Sequence, residues 1–68
     1  MKIFQERLLE QRKLHKMTQK QVAEYLHISQ PSYIRYENGS AEPSLESIVK
    51  IADLFDVSVD FLLGRSQY

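Results

Sequence analysis

The sequence predicts an all-α fold, a compact single domain of five short helices. Apolar residues recur three and four positions apart, the period of a helix that buries one face. Ser or Thr precedes four of the proposed helices, where a side-chain oxygen can accept from free helix N–H groups. Both glycines and both prolines fall at proposed boundaries or in a first helical turn. With 68 residues the chain makes one domain, without internal repeat, linker or low-complexity stretch. A domain of this size buries only about 60% of its unfolded surface and needs support from elsewhere. Absence of cysteine excludes disulfides and thiolate metal sites. His15 and His27 have no metal-ligand spacing, so no metal or cofactor is expected. Helix packing, dimerisation or both must supply the stability.

The first helix covers about residues 2–15. Phe4 and Leu8 set its apolar stripe, which turns polar at Gln11 and Arg12, with Leu9 and Leu14 beside it. Thr18 caps the second helix, and Gln21 three residues on completes a capping-box spacing. Val22, Ala23 and Leu26 share its inner face, and it ends near Leu26. After a brief turn at residues 27–29, Ser29 caps the third helix. Pro31 sits in its first turn, where a missing N–H costs nothing. That helix runs to Glu37 or Asn38 and stops at Gly39, a glycine just past the helix end. Ser44 caps the fourth helix, whose apolar positions are read as Leu45, Ile48, Val49, Ala52 and Phe55. Ser58 caps the fifth, with Val59, Phe61, Leu62 and Leu63 apolar, and Gly64 ends it.

Net charge is zero, but the charges are segregated. In residues 1–36, Lys2, Arg7, Arg12, Lys13, Lys16, Lys20 and Arg35 stand against Glu6, Glu10 and Glu24. In residues 37–68, Lys50 and Arg65 stand against Glu37, Glu42, Glu46, Asp53, Asp56 and Asp60. Such a bipolar molecule can turn its positive half toward phosphates. No apolar run makes a signal peptide or a membrane span, so a cytoplasmic protein with no membrane partner is expected. Met1 and the early helix start read as a natural N-terminus.

Residues 18–38 hold two short helices and a three- or four-residue turn, a helix-turn-helix whose second helix enters the major groove. At about 100° per residue, Gln30, Pro31, Ile34 and Arg35 gather on one side of that helix and Tyr33 and Tyr36 on the other. The tyrosine side is expected to pack on the first, second and fourth helices. The other side suits base edges. Arginine can pair bidentately with guanine, glutamine with adenine, and apolar atoms of Pro31 or Ile34 can touch a thymine methyl. Gln19 opens the second helix, where its side chain and free N–H groups can meet a phosphate. Asn38 is placed for a phosphate at the other edge of the groove, and Lys20, with Lys16, adds positive charge.

Residues 17–26 (MTQKQVAEYL) and 29–39 (SQPSYIRYENG) resemble the lambda-repressor-like family of Cro/CI-type regulators, also called the XRE family. Pro43 to Ala52 and Asp56 to Gly64 resemble its later segments, so the likeness covers nearly the whole chain. It implies a five-helix, bacterial or phage-like DNA-binding domain with the third helix as reader. It implies base contacts at Gln30, Pro31 and Arg35, and phosphate contacts at Gln19, Ser32 and Asn38. It also implies that Arg12 and Glu37 form an internal salt bridge, which takes Arg12 out of the DNA-contacting set. One departure stands out. The family usually has glycine in the motif turn where this chain has His27, at a position that commonly needs positive φ.

An enzyme is not expected. There is no cysteine nucleophile, no Gly-rich phosphate loop and no Ser/His/Asp constellation, and Glu46 and Asp60 fall at helix starts, where they favour the dipole. The function read from these residues is sequence-specific binding of a palindromic double-stranded DNA operator by a homodimer, with repression of transcription. Val59, Phe61, Leu62 and Tyr68 are the candidate dimer residues. The alternative is a protein-interaction module or antitoxin on the same fold. Such a module has no need of the polar outer face that Gln30 and Arg35 keep.

Overall fold

In the computed structural model, residues 2–68 are described. They form α1 (Lys2–Leu14), α2 (Gln19–Leu26), α3 (Gln30–Asn38), α4 (Leu45–Phe55) and α5 (Val59–Leu62). Among the described residues there is no strand, and no helix is long and apolar enough to cross a membrane.

Each N-terminus after α1 is closed as its sequence dictates. Thr18 accepts from the Gln21 N–H at 3.0 Å, while the Gln21 side chain accepts from the Thr18 N–H at 2.8 Å. Ser29, Ser44 and Ser58 each accept from the N–H three residues on. These side chains satisfy donors that the helix leaves unpaired, an effect worth about 1 kcal/mol per cap.

The C-termini follow a pattern the sequence reading only half caught. Lys16 (φ 55°), His27 (φ 58°) and Asp56 (φ 54°) all adopt the left-handed conformation. Each is followed by an apolar residue whose N–H reaches back five residues: Met17 to Arg12, Ile28 to Ala23, Val57 to Ala52, all within 3.0–3.1 Å. Met17, Ile28 and Val57 then pack against the core. Left-handed geometry costs a non-glycine residue about 1–2 kcal/mol. The two backbone bonds and the partly buried apolar side chain that follow it offset that cost. His27 therefore holds the motif turn in the positive-φ geometry expected at that position.

One apolar core joins all five helices. Leu8, Val22, Tyr33, Ile51 and Leu62 are completely buried, with Phe4, Ala23, Leu26, Ile48, Ala52 and Phe55 around them. Two expectations need correction. On α4 the buried positions are Ser47, Ile48, Ile51, Ala52 and Phe55, whereas Leu45 is 86% and Val49 50% exposed. Leu45 opens the helix before it meets the bundle, and Val49 shares its outward side one turn on. The second correction concerns Leu62, which lies wholly inside the core and is absent from any dimer surface.

α5 is fastened to α1 by more than apolar contact. The Arg7 guanidinium lies 4.2 Å from the centre of the Phe61 ring. Its Nη1 donates to the Phe61 carbonyl and, at 2.7 Å, to the Ser66 carbonyl. A cation at this point lies at the C-terminal end of α5, where positive charge is favoured.

Gly39 ends α3 at φ 82° with its N–H bonded to Arg35 O at 3.0 Å. A Cβ there would fall on the Gln5 amide, which is the mobile end of a side chain and can swing away. The φ cost therefore dominates, and Gly39→Ala is expected to lose about 1–2 kcal/mol of stability. Chemical denaturation checks this, with an unchanged midpoint as the contrary result.

Candidate nucleic-acid interface

α2 and α3 pack on each other across the turn that His27 closes, and α3 also lies against α1. Tyr33 is the anchor. It is completely buried on the inner face of α3, and Tyr36 meets it edge-on, ring centres 6.3 Å apart. Burying that face turns the opposite one outward. Gln30, Pro31 and Arg35 are exposed, and Ile34 is half-buried beside them. The structure thus brings the four candidate base-reading residues onto one surface.

Behind them lies a polar cluster centred on Glu37. Arg12 Nε donates to Glu37 Oε2 at 2.5 Å and Arg12 Nη2 to Glu37 Oε1 at 3.2 Å. Arg12 Nη1 donates to the Met17 carbonyl at 3.0 Å. Tyr33 Oη donates to Glu37 Oε2, and Gln19 Nε2 donates to Glu37 Oε1 at 3.1 Å. The two side chains of the ion pair are only 14% and 7% exposed. Burial pushes the Glu37 carboxyl up, but the hydrogen bonds from Arg12, Tyr33 and Gln19 outweigh it and hold it below the usual carboxylate range. The Tyr33 phenol moves up, first through burial and then through its bond to Glu37. Arg12 is raised by its hydrogen bond to Glu37. Both ends of the cluster stay charged near neutral pH, and Tyr33 stays a donor.

The candidate phosphate residues flank the reading face. Gln19 is half-buried at the start of α2, next to exposed Lys20. At the far end of α3, Asn38 Oδ1 accepts from the Ser40 N–H at 2.9 Å and from its hydroxyl at 2.7 Å. The exposed Asn38 amide nitrogen is left to donate. Ser32 Oγ accepts from the Ser29 hydroxyl at 2.9 Å, so its own proton can go to an acceptor. Sequence reasoning missed the Tyr33 and Gln19 bonds to Glu37. The spacing of Tyr33 and Glu37, one helical turn apart, was the available signal. Among the described residues, no cluster of three or more His, Asp or Glu could hold a metal ion.

Two capped helices meeting at a tight turn, the second presenting a polar outer face from a buried tyrosine anchor, define a helix-turn-helix domain of a DNA-binding regulator. A family comparison agrees: the model described as "Helix-turn-helix" matches residues 8–62, and the chain belongs to that family, of the Cro/CI type. The cryptic phage CTXphi transcriptional repressor RstR of Vibrio cholerae is 49% identical over 62 residues, covering 91% of this chain and 55% of that protein. The uncharacterized HTH-type transcriptional regulator YobD of Bacillus subtilis is 45% identical with the same coverage. Among solved structures, a transcriptional regulator from Listeria innocua superposes with a TM-score of 0.87 at 31% identity, over 96% of this chain and 61% of that one. The chain spans about half the length of the curated relatives it matches. The family is a class of DNA-binding transcription regulators, not of enzymes.

Proposed function

We propose that the chain binds a palindromic DNA operator as a homodimer in the cytoplasm, sets α3 in the major groove and represses transcription. The observation that carries this is the outer face of α3. Gln30, Pro31 and Arg35 stand exposed with Ile34 between them, while Glu37 on the same helix is committed to Arg12. Gln19, Ser32 and Asn38 each keep a donor for the flanking phosphates, and Lys20 adds positive charge.

Dimeric reading follows from size. One recognition helix spans few base pairs, and half-sites sit about 34 Å apart. The longest extent of the domain is 29 Å, so two domains on one face of the duplex stand close enough to touch. Val59 borders an apolar cleft of about 220 Å³ with Phe4, Tyr36, Pro43, Leu45 and Leu63. That cleft is the favoured contact, and the exposed Tyr68 stands on the tail. Phe61 contributes less, since Arg7 covers its ring. Repression is favoured over activation because the relative named a repressor is 49% identical and the one named an activator, BcrR of Enterococcus faecalis, 37%.

Selection from a random duplex library tests the reading. A two-fold symmetric motif is the expected result. No enrichment at low salt by folded protein overturns it and directs the search to protein partners. Arg35→Ala is expected to cost about 1–3 kcal/mol in specific binding and to relax one base position. Competition titrations against operator variants check this, and unchanged selectivity moves the reading face elsewhere.

A further inference from the structure

We infer that Glu37 is a positioning residue for DNA binding, acting through Gln19, in addition to pairing with Arg12. The inference rests on the proposed phosphate contact of Gln19. A carboxylate can only accept hydrogen bonds. The 3.1 Å contact between Gln19 and Glu37 Oε1 therefore fixes which end of the amide faces inward. The nitrogen turns toward Glu37 and the carbonyl away from it. An amide nitrogen carries two protons. One is committed to Glu37, and the other is left for an incoming anion.

An acid this near a phosphate would ordinarily repel it. Here both carboxylate oxygens accept from Arg12, at 2.5 and 3.2 Å, so the pair is neutral overall. Tyr33, fully buried, supplies a further bond from the side away from solvent. Gln19, at the first residue of α2, is thus held by a group that is itself held by Arg12 and Tyr33. A glutamine without that hold loses rotamer freedom when it meets the phosphate. A preset one has already given it up on folding, which is how rigid positioning raises affinity.

A double-mutant cycle tests this with a duplex of arbitrary sequence at fixed low salt, below the melting temperature of every variant. Gln19→Ala and Glu37→Gln are each expected to weaken binding about tenfold, the worth of one charge-assisted hydrogen bond. The double variant is expected to be no weaker than Gln19→Ala alone. Additive losses overturn the coupling while leaving the phosphate contact of Gln19 intact. Unchanged binding by Gln19→Ala overturns both. A second measurement needs no variant: the side-chain amide resonances of Gln19 in the unaltered protein. Two well-separated protons exchanging more slowly than those of exposed Gln30 are expected, with only one of them shifting when the duplex is added. Resonances indistinguishable from those of Gln30 overturn the inference.

Discussion

Glu37→Ala is expected to destabilise the domain by about 3–5 kcal/mol, the cost of leaving a buried charge unpaired. Arg12 would lose both carboxylate bonds and keep only the Met17 carbonyl. Tyr33 would keep a buried hydroxyl whose acceptor has gone, a further unmet bond. A domain of this length has roughly 3–10 kcal/mol in hand, so the variant is expected to be largely unfolded at 37 °C. Thermal and urea melts followed by circular dichroism check this. A melting temperature within a few degrees of the parent would show that the pair carries little stability. The same carboxylate gives a pH signature. Its folded pKa lies below the ordinary value, so the stabilisation it brings is complete above about pH 4.3 and is lost as pH falls through the folded value. Glu37→Gln is expected to remove that acid limb from the stability profile.

Leu62→Ala is the second large effect. The side chain is completely buried where α5 closes over the other helices. Removing it leaves a cavity, and leucine-to-alanine changes of this kind cost about 2–5 kcal/mol. Since Leu62 is inside, the loss is expected in the monomer's unfolding free energy. Dissociation of the proposed dimer, followed by sedimentation of the folded fraction, is expected to be unchanged. Altered dissociation with intact stability would return Leu62 to the interface.

Much of this architecture is legible in the residues. Thr18 with Gln21, and Ser29, Ser44 and Ser58, mark helix starts because a capping oxygen is a local requirement. Tyr33 and the outward set around Arg35 follow from the period of a helix. Two kinds of feature were not legible. The αL ends at Lys16 and Asp56 depend on the apolar residue that follows each, and a lysine or an aspartate by itself carries no such signal. The inner face of α4 depends on where the other helices lie. Leu45 and Val49 suit a buried stripe as well as Ile51 does, and only packing decides between them. Nor does any local pattern reveal that Gln19 faces Glu37, 18 positions away, because the bond exists only once α1, α2 and α3 have assembled.

The clasp between Arg7 and the end of α5 has a consequence for how the domain comes into being. Its two bonds join residues 54 and 59 positions apart, and Leu62 enters a core begun by Phe4 and Leu8. α1 therefore waits for α5, more than fifty residues later in the chain, before its apolar face is fully covered. At a synthesis rate of about 5–20 residues per second, that wait is several seconds. During it, α2 and α3 have their turn and their caps, but not the closed scaffold that holds them. The scaffold that holds α2 and α3 closes only once α5 has been made, and truncation before α5 is expected to loosen the helix-turn-helix as a whole.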